Sequence, residues 1–103
     1  MHGKKSYSQS KRDIFVILYD VIELQKGEMI VSDTRSGKLL YSLTMYDYVW
    51  ELLYDIAEID TGKCEISIQV TGERFNKKAE ILRQFALLDS MLNGGADVKL
   101  IEN

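Results

Sequence analysis

The sequence predicts an α+β domain: an antiparallel three-stranded meander, then helix, strand, helix, and a last segment that is either a short strand or a frayed end. Three stretches carry that prediction. Apolar and polar residues alternate strictly through Cys64-Glu65-Ile66-Ser67-Ile68-Gln69-Val70-Thr71, which puts Cys64, Ile66, Ile68 and Val70 on one buried face of a strand. Glu28–Asp33 and Lys38–Leu43 flank Thr34-Arg35-Ser36-Gly37, a four-residue turn ending in glycine, as in a β-hairpin. From Glu73 to Leu92, Phe75, Ala79, Leu82, Phe85, Ala86 and Leu92 form the inner stripe of a helix.

The remaining elements follow in chain order. Residues 1–12 hold Lys4, Lys5, Lys11 and Arg12 and no acid, so they read as a flexible basic arm ahead of a single domain over 13–103. Asp13–Leu24 is dense in Ile, Val, Phe and Tyr and is expected as the first strand, joined to the hairpin through Gln25-Lys26-Gly27. The rival reading is a helix, with Ser10 and Asp13 spaced as an N-cap and its partner, and Gly27 as the C-cap. A helix is expected after Thr44, where Asp47 completes a capping box and Met45, Val49, Leu52, Leu53 and Ile56 recur at helical spacing. Asp60-Thr61-Gly62-Lys63 reads as the turn into the alternating strand, and Gly72 ends that strand. Asn93-Gly94-Gly95 closes the second helix, and Val98–Ile101 is the last strand or frayed end.

If Asp13–Leu24 is helical, the element order instead resembles a winged helix. Thr44–Ala57 would then occupy the recognition-helix position and Ile59–Val70 the wing. Thr71-Gly72-Glu73-Arg74-Phe75 resembles the threonine- and glycine-bearing lead into the final helix of winged-helix regulators. That resemblance implies a small nucleic-acid-binding regulator.

Composition narrows the chemistry further. The chain of 103 residues has one histidine, His2, in the basic arm, and one cysteine, Cys64, at a buried strand position. A lone cysteine suits a reducing compartment and rules out an internal disulfide. Nothing approaches the 18 consecutive apolar residues of a membrane span, and a cytoplasmic location is expected. No nucleophile–base pair, metal-ligand cluster or phosphate-binding glycine loop can be assembled. The expectation is a non-enzymatic protein with no cofactor and no metal.

Function is therefore expected in the surface. On the helix reading of Thr44–Glu58, Asp47, Glu51, Asp55 and Glu58 line one face, interleaved with Tyr48 and Tyr54. This acidic-aromatic face is the expected docking site for a protein partner. Leu87 and Met91 fall one turn apart on the polar side of the second helix and are expected to mediate homodimerisation. The alternative, nucleic-acid binding, would use Lys4, Lys5, Lys11, Arg12, Arg74, Lys77 and Lys78. Residues 13–103 carry 9 basic and 16 acidic groups, a net charge of −7. That charge, and the carboxylates on the would-be recognition helix, rank DNA binding second.

Overall fold

A computed structural model describes residues 1–45, 47–72, 76–92 and 97–102 of the chain, the side chain of Met45 excepted. The elements are β1 (His2–Tyr7), α1 (Lys11–Leu24), β2 (Glu28–Asp33), β3 (Lys38–Met45), β4 (Tyr48–Asp60), β5 (Lys63–Thr71), α2 (Lys77–Asp89) and β6 (Lys99–Ile101). All six strands belong to one sheet in the order β2-β3-β4-β5-β1-β6, and every pairing is antiparallel. The three-stranded meander is thus corrected to a six-stranded sheet with two helices. The winged-helix alternative is corrected too, because the would-be recognition helix is a strand.

Residue parity explains which side of the sheet is covered. Leu39, Tyr41 and Leu43 of β3, Trp50, Leu52, Tyr54 and Ile56 of β4, and Cys64, Ile66, Ile68 and Val70 of β5 all point to one face and are buried. Both helices lie there. They contribute Ile14, Phe15, Leu18, Val21 and Ile22 from α1, and Ile81, Phe85 and Leu88 from α2. The opposite face carries the alternate residues, among them Leu40, Leu53, Glu51 and Asp55.

The stretch after Thr44 is where the sequence reading fails most clearly. Thr44 pairs with Val49 near the end of β3, and Asp47 sits in the tight turn with φ +69°, so no capping box forms. Two periods compete in this segment. The strand period wins because Trp50, Leu52, Tyr54 and Ile56 alternate without a break and are aromatic or β-branched at three of four positions. The helical set Met45, Val49, Leu52, Leu53, Ile56 would leave Trp50 and Tyr54 in water.

Asp13–Leu24, expected as a strand, is helical. The Ser10 side chain accepts from the Asp13 amide (3.2 Å), and the first intrahelical bond runs from the Ile14 amide to the Ser10 carbonyl (3.0 Å). At the other end the Gly27 amide donates to the Ile22 carbonyl (2.9 Å) and the Lys26 amide to the Glu23 carbonyl (3.0 Å). This is a Schellman motif with Lys26, at φ +57°, in the left-handed position usually held by glycine.

His2–Tyr7, expected within a loose arm, pairs with β5 on one side and β6 on the other. Gly3 makes this insertion feasible. A Cβ there would fall 2.6 Å from Ile81 Cγ2 and 3.0 Å from Phe85 Cε2, so its bare backbone lets α2 settle onto β1. At the C-terminal end of α2, Asp89 accepts from the Tyr7 hydroxyl (2.8 Å) and from Lys5 Nζ (2.8 Å), fixing that helix to the same strand.

Both expected turns form. Asp33 Oδ1 accepts from the Arg35 and Ser36 amides (3.1 and 3.2 Å), and Gly37 takes φ +79°. Gly62 takes φ +70° in the turn between β4 and β5.

Replacing Lys26 with glycine relieves its left-handed strain while adding unfolded-chain entropy. The net expectation for Lys26→Gly is a stabilisation of about 0.5–1 kcal/mol in urea unfolding. A destabilised variant would show that the Lys26 side chain contributes more than its strain costs.

Candidate interaction surface

The surface begins at the outermost strand of the sheet. β2 pairs only with β3, leaving its other edge without a strand partner among the described residues. All six of its residues are exposed. Three of them are consecutive and apolar: Met29 at 39%, Ile30 at 48% and Val31 at 46% exposure. A register shift at Ile30 marks a bulge in the strand. The opposite edge, β6, has three residues and carries Lys99.

α1 flanks this edge. The Tyr19 hydroxyl lies 2.7 Å from Ser32 Oγ, which ties the helix to β2. Lys11 Nζ donates to the Arg35 carbonyl (3.1 Å) in the turn beyond β2. The helix therefore runs antiparallel to β2. On the side of α1 that faces the turn after β2, Lys11, Arg12, Phe15, Val16, Tyr19 and Thr34 line an open groove of about 400 Å³.

A buried amide holds the frame behind this edge. Gln84 is fully buried, and its Oε1 accepts from the hydroxyls of Tyr41 (2.7 Å) and Tyr54 (2.9 Å) and from Gln25 Nε2 (3.1 Å). Its Nε2 donates to Gln25 Oε1 (2.7 Å) and Glu80 Oε1 (2.9 Å). The carboxylate acceptor settles the amide orientation, since a flipped Gln84 would set oxygen against oxygen. Arg83 closes the cluster, donating to both carboxylate oxygens of Glu80 (2.6 and 3.0 Å) and to Gln25 Oε1 (2.9 Å).

Burial pushes the Tyr41 phenol up to about 12, and the bonds from Tyr54 and Gln25 pull it partly back. Burial, with Tyr41 close by, holds Tyr54 well above its ordinary value. Tyr7 is raised by burial and then by its bond to Asp89. Burial, then Glu58, raises the Cys64 thiol as well, so Cys64 is a core side chain with no bias toward thiolate.

The residues singled out from the sequence scatter. Glu51 and Asp55 lie on the uncovered sheet face. Four residues apart along β4, they are about 13 Å apart rather than on adjacent helical turns. Asp55 is bridged to Lys38 Nζ (2.9 Å). Asp47 is in a turn, and Glu58 is at the irregular end of β4. Tyr48 is exposed, but Tyr54 is a core residue. The acidic-aromatic helix face is thus corrected: its members occupy both faces and both ends of a strand.

Leu87 packs partly against the core, while Met91 is exposed beside Asp20, Glu23 and Leu24. Of the basic set, Lys5 is bound to Asp89, Lys4 lies 3.9 Å from Glu65, and Arg74 lies outside the described residues. Lys77 and Lys78 open α2, whose Arg83 meets the C-cap of α1. No hydrogen bond or ion pair among the described residues links them to Lys11 or Arg12, which lie at the N-terminal end of α1. Only Lys11 and Arg12 are brought together.

Among the described residues no three His, Cys, Asp or Glu side chains form a group able to hold a metal, and no helix is long and apolar enough to cross a membrane. No protein-family model matches the chain, and no curated protein matches it.

The β2 edge left a sequence signal. Met29-Ile30-Val31 is an unbroken apolar run in a strand that, if half-buried, should alternate. The groove left none, because it exists only once α1 is docked on β2.

Two outcomes follow from the buried cluster. Gln84→Leu should cost about 2 kcal/mol in urea unfolding, because it strands two buried hydroxyls. The triple variant with Tyr41→Phe and Tyr54→Phe should recover more than half of that loss, and a triple variant no more stable than the single would assign the loss to packing.

All three phenols are raised in the folded state, so the native protein keeps protons that the unfolded chain releases. Their contribution to stability is complete below the ordinary tyrosine value of 10.0 and is lost as pH rises toward 12 and beyond. Urea midpoints should hold steady from neutral pH to about 9 and then fall, less steeply in Tyr54→Phe.

Proposed function

We propose that this protein is a non-enzymatic interaction module that binds a protein partner by β-strand addition at β2. One observation carries the reading: a solvent-exposed edge strand with three consecutive apolar residues and, among the described residues, no strand paired to its outer edge. Unpaired edges invite association, and proteins ordinarily blunt them with short strands, charges, bulges or covering loops; of these the centre of β2 has only the bulge at Ile30. β6 follows that practice, being short and carrying a lysine. On β2 only the ends are charged, by Glu28 and Asp33, and the bulge at Ile30 leaves its centre apolar.

Main-chain hydrogen bonds along such an edge supply affinity, and alternate side-chain contacts supply selectivity. The buried Gln84 cluster supports this use. It fixes β3 and β4 against both helices, so the template presented by β2 is held by a rigid neighbour. The reading keeps the expected class of function and moves it to a different surface. Nucleic-acid binding lacks comparable support, since the basic residues do not converge and residues 13–103 are acidic.

Peptides selected from a random display library test the reading. Binders are expected to slow amide hydrogen exchange across Glu28–Asp33 and to lose at least tenfold in affinity against Ile30→Lys. That variant should unfold within about 0.5 kcal/mol of the parent, because the side chain is exposed. Selection of no binder, or protection confined to other elements, would overturn the assignment.

A further inference from the structure

The groove formed by α1 and Thr34, next to the end of β2, has a chemical polarity that says what kind of strand it would accept. Its apolar middle is made by the Phe15 ring, by Val16, which is 54% exposed, and by Tyr19. Phe15 and Tyr19 lie with ring centroids 6.2 Å apart at a 51° tilt, and the Tyr19 hydroxyl bond to Ser32 holds that ring in place. One end of the groove is lined by Lys11 and Arg12, with no carboxylate among the described residues of the lining. Lys11 reaches the Arg35 carbonyl, which brings the turn carrying Arg35 to the same end. The nearby turn carboxylate of Asp33 accepts the Arg35 and Ser36 amides through Oδ1 and lies within electrostatic reach of Lys11, so the uncompensated charge at this end is that of Arg12 and Arg35. Neither Arg12 nor Arg35 forms an ion pair with any described residue.

This cationic end stands on a domain that is otherwise acidic. A broad acidic surface would be repelled by the body as a whole. A short extended segment with a single carboxylate would meet only the cations.

Resting on the β2-edge reading above, we propose that the occupant is an extended peptide segment of a partner protein, with one acidic and one bulky apolar residue two positions apart, pairing antiparallel to β2. The spacing follows from geometry. Arg12 and Val16 are one helical turn apart, about 6 Å, and alternate residues of a strand are separated by about 6.6 Å on the same face. The order follows from direction. α1 runs antiparallel to β2, so a strand antiparallel to β2 runs with α1 and passes Lys11 and Arg12 before Val16 and Tyr19. The acidic residue therefore precedes the apolar one. Antiparallel addition also continues the pattern of every pairing in the sheet.

Fluorescein-labelled peptides in a threonine–serine background provide the test. One carries glutamate two positions before phenylalanine, a second reverses the order, and a third has lysine in place of glutamate. The first is expected to bind at least tenfold more tightly than either of the others in fluorescence anisotropy. Arg12→Glu should reverse the preference between the glutamate and lysine peptides, and Val16→Asp should abolish binding of all three. Arg12 and Val16 are both exposed, so neither variant threatens the fold. Equal binding of the glutamate and lysine peptides, accompanied by protection of Glu28–Asp33, would overturn this inference and leave the edge reading standing. Binding of the first peptide without protection of Glu28–Asp33 would overturn both, as would binding of none of the three together with failure of the library selection.

Discussion

The Gln84 side-chain amide is the contact on which the arrangement of both helices depends. A buried amide with no partners is costly, and each of its atoms here is engaged from a different element: Gln25 at the end of α1, Tyr41 on β3, Tyr54 on β4, and Glu80 one turn earlier on α2. Apolar packing alone tolerates sliding of a helix over a sheet. A carbonyl shared by three donors does not, because a shift of an ångström breaks several bonds together. Gln84 Oε1 meets three donors, more than its two lone pairs serve equally, and the Tyr41 and Tyr54 hydroxyls also lie 3.0 Å from each other. The α1–α2 pair is thereby locked above the central strands, and the groove beside β2 inherits its shape from that lock.

The same residue belongs to the inward stripe of α2, which is Ile81, Gln84, Phe85, Leu88 and, beyond the helix, Leu92. The expected stripe shares only Phe85 and Leu92 with it, since Ala79, Leu82 and Ala86 are exposed and an apolar set with alanines competes in the sequence with Ile81 and Leu88. A glutamine at a core position is invisible to binary patterning, because its burial depends on partners far away in sequence. Phe75 and Arg74, assigned to this helix from the sequence, lie outside the described residues.

Elsewhere legibility followed the strength of local constraint. The alternating strand Cys64–Thr71, the turn at Asp60–Lys63 and the hairpin about Thr34–Gly37 were readable, because each rests on residues adjacent in the chain, whereas Val98–Ile101 stood open between a strand and a frayed end until its pairing with β1. The Ser10–Asp13 cap was visible too, but the β-branched content of Asp13–Leu24 outweighed it. Here the cap and the apolar set Ile14, Leu18, Val21 and Ile22 at helical spacing prevail over intrinsic propensity. β4 was lost for the opposite reason: two periods fit one stretch, and only pairing with β3 and β5 decides between them. The candidate surface fared worst. The expected acidic-aromatic face was an artefact of placing a strand on a helical wheel, and the groove exists only in three dimensions.

The position of β1 has a kinetic meaning. β2 through β5 form an uninterrupted run of neighbours, so each of those pairings closes only a short loop. β1 then seats Tyr7 opposite Cys64 and His2 opposite Ile101, joining stretches from opposite ends of the chain. Loop closure of this kind carries a large entropic barrier before any contact rewards it. Until that docking occurs, the flank of β5 is a second open rim, and α2 lacks the Gly3 backbone on which it rests. Once β1 and β6 are in place that rim is replaced by a three-residue margin carrying Lys99, so of the sheet's two edges only β2 keeps a long apolar one.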